Sequence, residues 1–370
     1  MQNEIEPEVI EETDSIFPRE SITFILGDDR NTENAFYTEA ANYFQYSETA
    51  KTDYVVKWCR SLLEVREYLV QNPPSNALPW GTIHLVSHGN QWIGLSVEVI
   101  PESRRASTAE IIKYLDNDTF IGIPDHIIDH NSEIEIHACG VGNNIEFVQI
   151  MTEVFRSEHA VPVVRASRLF EYYTSVKNSG MIMESEHYFA KAWFTNYMRG
   201  YPPSDEIIYS NLKKKYPESS IDWQDALSRE EPRWIGDVYH VTFDVPVKWV
   251  ITYPNEDSLP DVSTLKKQKE WIYSRHEIMD ALHKIEIPVE DFNWWFRKVY
   301  VNNNDGTRSP AIWVKGYSTI LSVLKPLLND KSEDNLLARK PFIPDLDDGD
   351  YYYSYGGVSM NQKLQASSFK

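Results

Sequence analysis

Two residues of the chain combine types and surroundings that could carry nucleophilic chemistry. The sequence has only two cysteines, too few for a disulfide framework. Cys59 follows a short apolar run and is typical of a small buried thiol. Cys139 is the second-last residue of the segment IEIHACG, and His88 is the second-last residue of the similar segment IHLVSHG. A thiol needs a nearby base or a positive dipole to become a nucleophilic thiolate, and an imidazole can be that base.

The elements that must position these residues alternate along the first half of the chain. Short runs rich in β-branched and aromatic residues predict strands, and stretches with helical spacing between them predict an α/β fold with a parallel sheet. The predicted strands cover 22–26, 54–58, 82–87, 133–138 and 161–164, and the predicted helical stretches cover 36–44, 62–70, 111–115 and 145–155. Ser107 and Glu110 predict a capping box at the third helix.

His88 and Cys139 follow the third and fourth predicted strands. The carboxyl ends of parallel strands form the usual ligand-binding edge of such a sheet, and neighbouring strand ends lie about 5 Å apart. Gly89 permits close approach of a substrate carbonyl to the backbone. We therefore expect one cleft, in which the backbone amides of Gly89 and Cys139 form an oxyanion hole.

Other histidines could bind a metal or support the candidate catalytic residues. The strand alternation puts His84 and His137 beside the two candidate catalytic residues, as supporting groups or as ordinary core histidines, of which the core interpretation is favoured. His126 and His130 have metal-like spacing but lie in a predicted loop. The acidic segment 345–350 does not match the spacing of a calcium-binding loop. Neither a metal nor a cofactor is predicted.

Four regions are predicted along the 370 residues. Pro202 and Pro203 mark the central boundary, after which the alternation of strands and helices changes to an α+β pattern. That part contains strand-like runs at 238–243 and 247–251, a charged helical segment at 265–285, and a hairpin candidate from 298–301 to 311–314. The regions are a flexible acidic leader (1–20), an α/β domain (21–204), an accessory or regulatory α+β domain (205–344) and an acidic, Tyr-rich tail (345–370).

Composition limits the partners. The chain is 42% hydrophobic, as in ordinary globular proteins, and its formal charge of −20 disfavours nucleic acid and anionic lipid. The first residues do not read as a secretory signal, and no apolar run approaches the roughly 18 residues of a membrane span. We therefore expect a cytoplasmic protein that binds neither nucleic acid nor membranes.

The two segments together resemble the caspase-like cysteine peptidases. In that family a His-Gly pair follows the third strand and an Ala-Cys pair follows the fourth, as 88–89 and 138–139 do here. The histidine precedes the cysteine by 51 positions, near the roughly 50 of caspases. His137 and Val141 stand where caspases have Gln and Gly, which favours a divergent type such as the bacterial CHAT proteases. The similarity spans about residues 21–200.

The resemblance implies a parallel-sheet sandwich with helices on both faces and an endopeptidase working through a Cys139–His88 dyad without a cofactor. It also implies a protein or peptide substrate, bound partly by the segments after the first and fifth strands. The resemblance further implies that a partner, a ligand or proteolysis activates the enzyme, in a bacterial defence or signalling pathway. The C-terminal region would then bind the regulator. The candidate substrate-binding residues are Asp29, Arg30, Arg165 and Ser167.

Two other functions are compatible with parts of the sequence. An α/β-hydrolase with a cysteine nucleophile would need glycines two positions before and after Cys139, and its histidine would come last in the chain. His137 and Val141 occupy those positions, and His88 comes first. A non-catalytic caspase-like binding module is the remaining alternative, which the presence of both dyad residues weakens.

Overall fold

Two sheets organise the chain. The computed structural model describes residues 18–29, 35–232, 236–303 and 306–327, and the backbone of 352–355. In chain order the strands and helices are β1 (Ile22–Ile25), α1 (Phe36–Tyr46), β2 (Tyr54–Val56), α2 (Leu62–Gln71), β3 (Thr82–Val86), β4 (Gly89–Asn90), β5 (Gly94–Leu95), α3 (Thr108–Leu115), β6 (Glu133–His137), α4 (Ile145–Val154), β7 (Val163–Ser167), β8 (Phe170–Asn178), β9 (Met181–Met198), α5 (Asp205–Lys215), α6 (Trp223–Leu227), β10 (Tyr239–Thr252), α7 (Leu265–Tyr273), α8 (His276–Lys284), β11 (Asn293–Asn302), β12 (Arg308–Pro326) and β13 (Tyr352–Tyr355).

The first sheet has the strand order β13-β7-β6-β3-β1-β2. Its five strands from the first half of the chain pair in parallel, which confirms the predicted α/β class and parallel sheet. The fifth strand begins at Val163 instead of 161, in keeping with Pro162, which cannot donate a ladder hydrogen bond. β13 adds an antiparallel strand beside β7.

The two faces of this sheet differ in character. One face carries an apolar core that includes Phe24, Leu85 and Ile136 and packs against α2, α3 and α4. The other face packs against α1, whose Ala40 and Phe44 are buried there. Helices therefore cover both faces. One half of the predicted capping box is observed, since the Ser107 side chain accepts a hydrogen bond from the Glu110 backbone N–H, whereas the Ser107 N–H donates to the Arg105 carbonyl.

The second sheet is antiparallel and takes strands from both halves of the chain. Its order is β10-β12-β9-β8, and β11 also pairs with β12. The predicted strands at 238–243 and 247–251 form one strand, β10, which continues through Pro246. Two of its strands precede residue 204 and three follow it, so the boundary predicted there runs through a sheet. The division into domains stays a prediction.

Two further expectations for the second half can be compared with the structure. The segment 265–285 forms two helices, with a break at Ser274 and Arg275, instead of one. The hairpin is confirmed as β11 and β12, with Gly306 at a φ of 81°, a conformation that favours glycine. The leader before residue 18, the acidic segment 345–350 and residues 304 and 305 lie outside the described residues.

Trp92 connects the β4–β5 hairpin, a separate two-stranded sheet, to the antiparallel sheet. It follows β4, and its indole N–H donates to the carbonyl oxygen of Ile285 at 3.2 Å. Its ring lies 4.9 Å from the ring of Phe194 on β9 and 5.2 Å from that of Phe243 on β10. The β4–β5 hairpin therefore packs against the antiparallel sheet through an apolar contact. Of the helices in the described part of the chain, none has the length and apolar character that crossing a bilayer requires.

Candidate functional site

The candidate dyad residues leave two neighbouring strands at matching positions. Val86 of β3 pairs with His137 of β6, and the ladder continues with the Ser87 N–H donating to the His137 carbonyl at 3.1 Å. His88 and Cys139 each lie two residues beyond that pair, so both follow at the same edge of the sheet. Adjacent strands are about 5 Å apart. The predicted placement on neighbouring strand ends is therefore observed.

The His88 ring packs against α1. It stacks on Phe36 with ring centroids 4.5 Å apart and meets the edge of Tyr37 at 4.8 Å. The His88 backbone N–H donates to the Tyr37 hydroxyl at 3.0 Å. The start of α1 is held in turn by Asp29, whose carboxylate accepts from the backbone N–H groups of Tyr37 and Thr38, both at 2.9 Å. These contacts fix the backbone and ring of His88.

Cys139 is partly exposed at the turn between β6 and α4. Burial of its sulfur raises the pKa of the thiol to about 12, although the backbone N–H of Glu171 donates to it. Tyr239 of β10 lies close enough for the thiolate charge to raise the pKa of its hydroxyl, in addition to the effect of burial. The group is therefore a neutral thiol in this conformation.

Glycines shape the turn after Cys139. Gly140 has a φ of 67°, and its N–H donates to the Leu169 carbonyl at 3.0 Å. A Cβ on Gly142 would lie 2.3 Å from the Ala166 carbonyl oxygen, closer than atoms approach. Gly89 belongs to β4, where a Cβ would lie 3.2 Å from the Ala138 Cβ. The backbone of Gly89 and that of the Cys139 turn are thus adjacent, and their role as an oxyanion hole stays a prediction.

The predicted substrate-binding side chains are engaged within the protein. Asp29 caps α1, as described above. Arg165 forms an ion pair with Glu133. Ser167 is buried, and its hydroxyl donates to the Leu169 carbonyl at 2.9 Å. Arg30 lies outside the described residues. Asp29, Arg165 and Ser167 support local structure, and their role in specificity stays a prediction.

A buried group of histidines and glutamates lies beneath the dyad, on the sheet face that α1 covers. His84 Nδ1 lies 3.0 Å from Glu135 Oε2 and 3.0 Å from His137 Nε2. His137 Nδ1 lies 2.9 Å from Glu171 Oε2, and His187 Nε2 lies 3.2 Å from the same oxygen. The period-two spacing of His84, Glu135 and His137 signals a shared face. Glu171 and His187 carry no comparable signal, because they come from β8 and β9.

The electrostatics of this group follow from its two carboxylates. Burial lowers the pKa of His137, but Glu171 and Glu135 outweigh it and raise that pKa to about 10. Burial raises the pKa of Glu171, but His137 and His187 lower it to about 2. Burial also raises the pKa of Glu135, but His137 and His84 outweigh burial and put that pKa well below its usual value. Burial lowers the pKa of His84. The cluster therefore holds two carboxylates whose negative charge is balanced by the protonated ring of His137.

Comparisons with protein-family models, with curated proteins and with solved structures gave no match for this chain. The parallel sheet with a histidine and a cysteine at adjacent strand ends, and the buried His/Glu cluster beneath them, are therefore the features from which a function can be argued.

Proposed function

We propose that the chain is a caspase-like cysteine endopeptidase, similar in type to the bacterial CHAT proteases, with Cys139 as nucleophile and His88 as general base. The supporting observation is the pairing of Val86 with His137, beyond which both residues follow at one sheet edge. A nucleophile and its base must come within hydrogen-bonding reach of each other and of a substrate carbonyl. Neighbouring strand ends are suited to that requirement.

The mechanism has two halves. His88 takes the thiol proton of Cys139 as the sulfur attacks the peptide carbonyl carbon, and the N–H groups of Gly89 and Cys139 donate to the resulting oxyanion. The C–N bond then breaks as His88 returns the proton to the leaving amine, which leaves a thioester. Water next attacks the thioester with His88 again as base, and the acid product leaves as the thiol is restored.

Activation is part of the proposal. The charge of a Cys139 thiolate acts on the hydroxyl of Tyr239 of β10, a strand contributed by the region after residue 204. A change in the position of β10 would alter the exposure of the sulfur. A regulatory protein, a ligand or a proteolytic cut acting on the C-terminal region could therefore switch the enzyme on. We place this activity in the cytoplasm, in bacterial defence or signalling, with a protein or peptide substrate.

Labelling by an electrophilic peptide probe, such as an acyloxymethyl ketone, tests the dyad. We expect covalent labelling of Cys139, identified by mass spectrometry, with none in Cys139→Ala. In His88→Ala the labelling rate should fall about 100-fold or more, as the loss of a general base implies. Cys59→Ala is the matched control, because it removes the other thiol, and it should label like the wild type.

A non-catalytic binding module is the second candidate, favoured by the high pKa of the Cys139 thiol. The same labelling experiment separates the two functions when it is repeated after limited proteolysis. Labelling that is equal in folded wild type and folded His88→Ala would contradict the dyad. Folded protein that stays unlabelled both before and after proteolysis would favour the binding module.

A further inference from the structure

Three side chains on the face that α1 covers form a compact triangle of ligand atoms. Since β3 and β6 pair in register, His84 lies opposite Glu135, and His137 follows on the same face. The atoms are His84 Nδ1, His137 Nε2 and Glu135 Oε2, separated by 3.0, 3.0 and 3.7 Å. We propose that His84, Glu135 and His137 bind one divalent first-row transition-metal ion, with Zn²⁺ the best match.

The size of the triangle fits a tetrahedral ion. Zinc bonds to nitrogen and oxygen are about 2.0–2.2 Å long, which puts neighbouring ligand atoms of a tetrahedron about 3.3–3.6 Å apart. The three observed separations lie on both sides of that range. Two imidazoles and one carboxylate are also an established donor set for zinc.

Hydrogen bonds alone do not satisfy all three ligand atoms of the triangle. His84 Nδ1 lies 3.0 Å from a ring nitrogen and 3.0 Å from a carboxylate oxygen, and it carries at most one proton. That proton can at best be shared between the two partners, and neither bond then has the near-linear geometry that makes a hydrogen bond strong. A cation at the centre of the triangle would interact favourably with all three atoms at once.

The remaining nitrogen of His137 has the partner that metal-bound histidines usually have. Its Nδ1 lies 2.9 Å from Glu171 Oε2, on a carboxylate whose residue is only 3% exposed. A carboxylate on the far nitrogen fixes the ring and makes the near nitrogen a better ligand. Phe44 packs over both rings, with centroids 4.8 Å from His84 and 5.2 Å from His137, and limits their rotation.

A water molecule would supply the fourth ligand, because this group of possible ligands among the described residues has three members. The side chains of His84 and Glu135 are 13% and 18% exposed, whereas that of His137 is 4% exposed. Three protein ligands with one solvent-accessible position are typical of reactive zinc sites, in contrast to sites closed by four side chains. The ion would also link β3 to β6 just before the strands end.

Two other groups of possible ligands fit a metal less well. In the first, His137, His187 and Tyr173 all direct donors at Glu171 Oε2, which is therefore fully used as a hydrogen-bond acceptor. In the second, Asp125 lies 2.7 Å from His159 at the surface, where an ion pair accounts for the contact.

Metal titration of the full-length protein tests the site directly. After removal of bound metal with EDTA, we expect one equivalent of Co²⁺ to bind with the strong visible absorption of a tetrahedral site, and Zn²⁺ to displace it. Zinc should also raise the Tm, because it binds the folded state. His84→Ala and Glu135→Gln should each weaken binding about 100-fold or more, since both remove a direct ligand.

Two matched variants exclude other binding modes. His159→Ala removes a surface histidine, and Cys139→Ala removes the nearest thiol, so both should bind Co²⁺ like the wild type. Circular dichroism checks that each variant is folded, and Glu135→Gln preserves side-chain size should His84→Ala fail to fold. Absence of stoichiometric binding by folded wild type, or unchanged affinity in folded Glu135→Gln, would overturn the proposal. Labelling of Cys139 is a separate readout, so the metal site and the peptidase can fail independently.

Discussion

At the scale of single residues, buried charge is concentrated near the start of β9 and beneath the dyad. Glu186 lies between Ser185 and His187 on β9. His187 contacts Glu171. Burial raises the pKa of the Glu186 carboxyl to about 7, with a further contribution from the charge of Glu184. The folded protein therefore binds this proton more tightly than the unfolded chain does.

The pH dependence of stability follows from that shift. Between the ordinary pKa of 4.5 and about 7, the folded state holds more protons than the unfolded state, so this residue makes the free energy of unfolding fall as pH rises. Glu186→Gln should therefore raise the Tm by a few degrees at about pH 8 and change it little at about pH 4. Thermal unfolding followed by circular dichroism at both pH values measures the effect.

Glu184→Gln is the control for this prediction. Glu184 is exposed and is the smaller cause of the Glu186 shift, so its substitution should give a smaller change of the same sign. Equal Tm changes for Glu186→Gln at the two pH values would contradict the assignment.

Residue types and spacing predict where His88 and Cys139 lie in the sheet, and they do not predict the His/Glu cluster. His88 and Cys139 could be placed because each follows a run whose strand character is local. The sequence favours His84 and His137 as core histidines, since nothing in their own strands shows that Glu171 lies on the same face. That contact depends on β8 returning across the sheet after Ser167, which is a tertiary event.

At the scale of elements, the turn between β6 and α4 determines how Cys139 is presented. Gly142 lies in the short 3₁₀ turn Val141–Asn143, against the carbonyl oxygen of Ala166. Gly142→Ala forces the turn away from β7 and should cost about 1–3 kcal/mol of stability, as overpacking does. In a Cys59→Ala background, the displaced turn should make Cys139 react faster with an aromatic disulfide reagent.

Gly200→Ala provides the matched comparison for that substitution. Gly200 has a φ of 77°, with no atom within 4 Å of the position of a Cβ, so alanine there should cost about 1–2 kcal/mol through backbone conformation alone. The reaction rate of Cys139 should stay at the parent value. Equal thiol reaction rates in all three proteins would refute a role for Gly142 in positioning the turn.

The sequence predicts strands correctly where a strand pairs with an adjacent strand and both have a buried, apolar pattern. The five parallel strands and the β11–β12 hairpin belong to this group. Within the predicted helical stretch 145–155, Val148 and Met151 are buried, whereas Ile145, the first residue of α4, is 45% exposed. β8 and β9 are not among the predicted strands, although they pair with each other as neighbours in the chain, and only the register of β9 on β12 depends on a distant segment.

At the scale of the whole molecule, the antiparallel sheet makes the two halves interdependent. Chains 1–204 and 205–370 each lack strands that the sheet needs, since β9 pairs with β12 across the cut. We expect the separate fragments to aggregate or to lack a cooperative unfolding transition, because unpaired edges and apolar faces would be exposed. Co-expression should restore a folded complex, measured by gel filtration and circular dichroism.

A fragment 1–204 that is monomeric and unfolds cooperatively at the Tm of the full chain would contradict this expectation. The full chain carrying a protease site between 204 and 205, cleaved after folding, is the control. It should keep its circular dichroism spectrum, because the sheet is already assembled when the chain is cut.

The pairing of β9 with β12 also affects the timing of folding during synthesis. Tyr197 accepts a hydrogen bond from Ser318, which lies 121 positions later in the chain. At roughly 5–20 residues per second, the ribosome needs on the order of 10 s to add that length. For that interval the edge of β9 that will receive β12 has no partner strand, while β1, β3, β6 and β7 are already complete. The nascent chain thus passes through a state in which chaperone binding at β9 would be most useful.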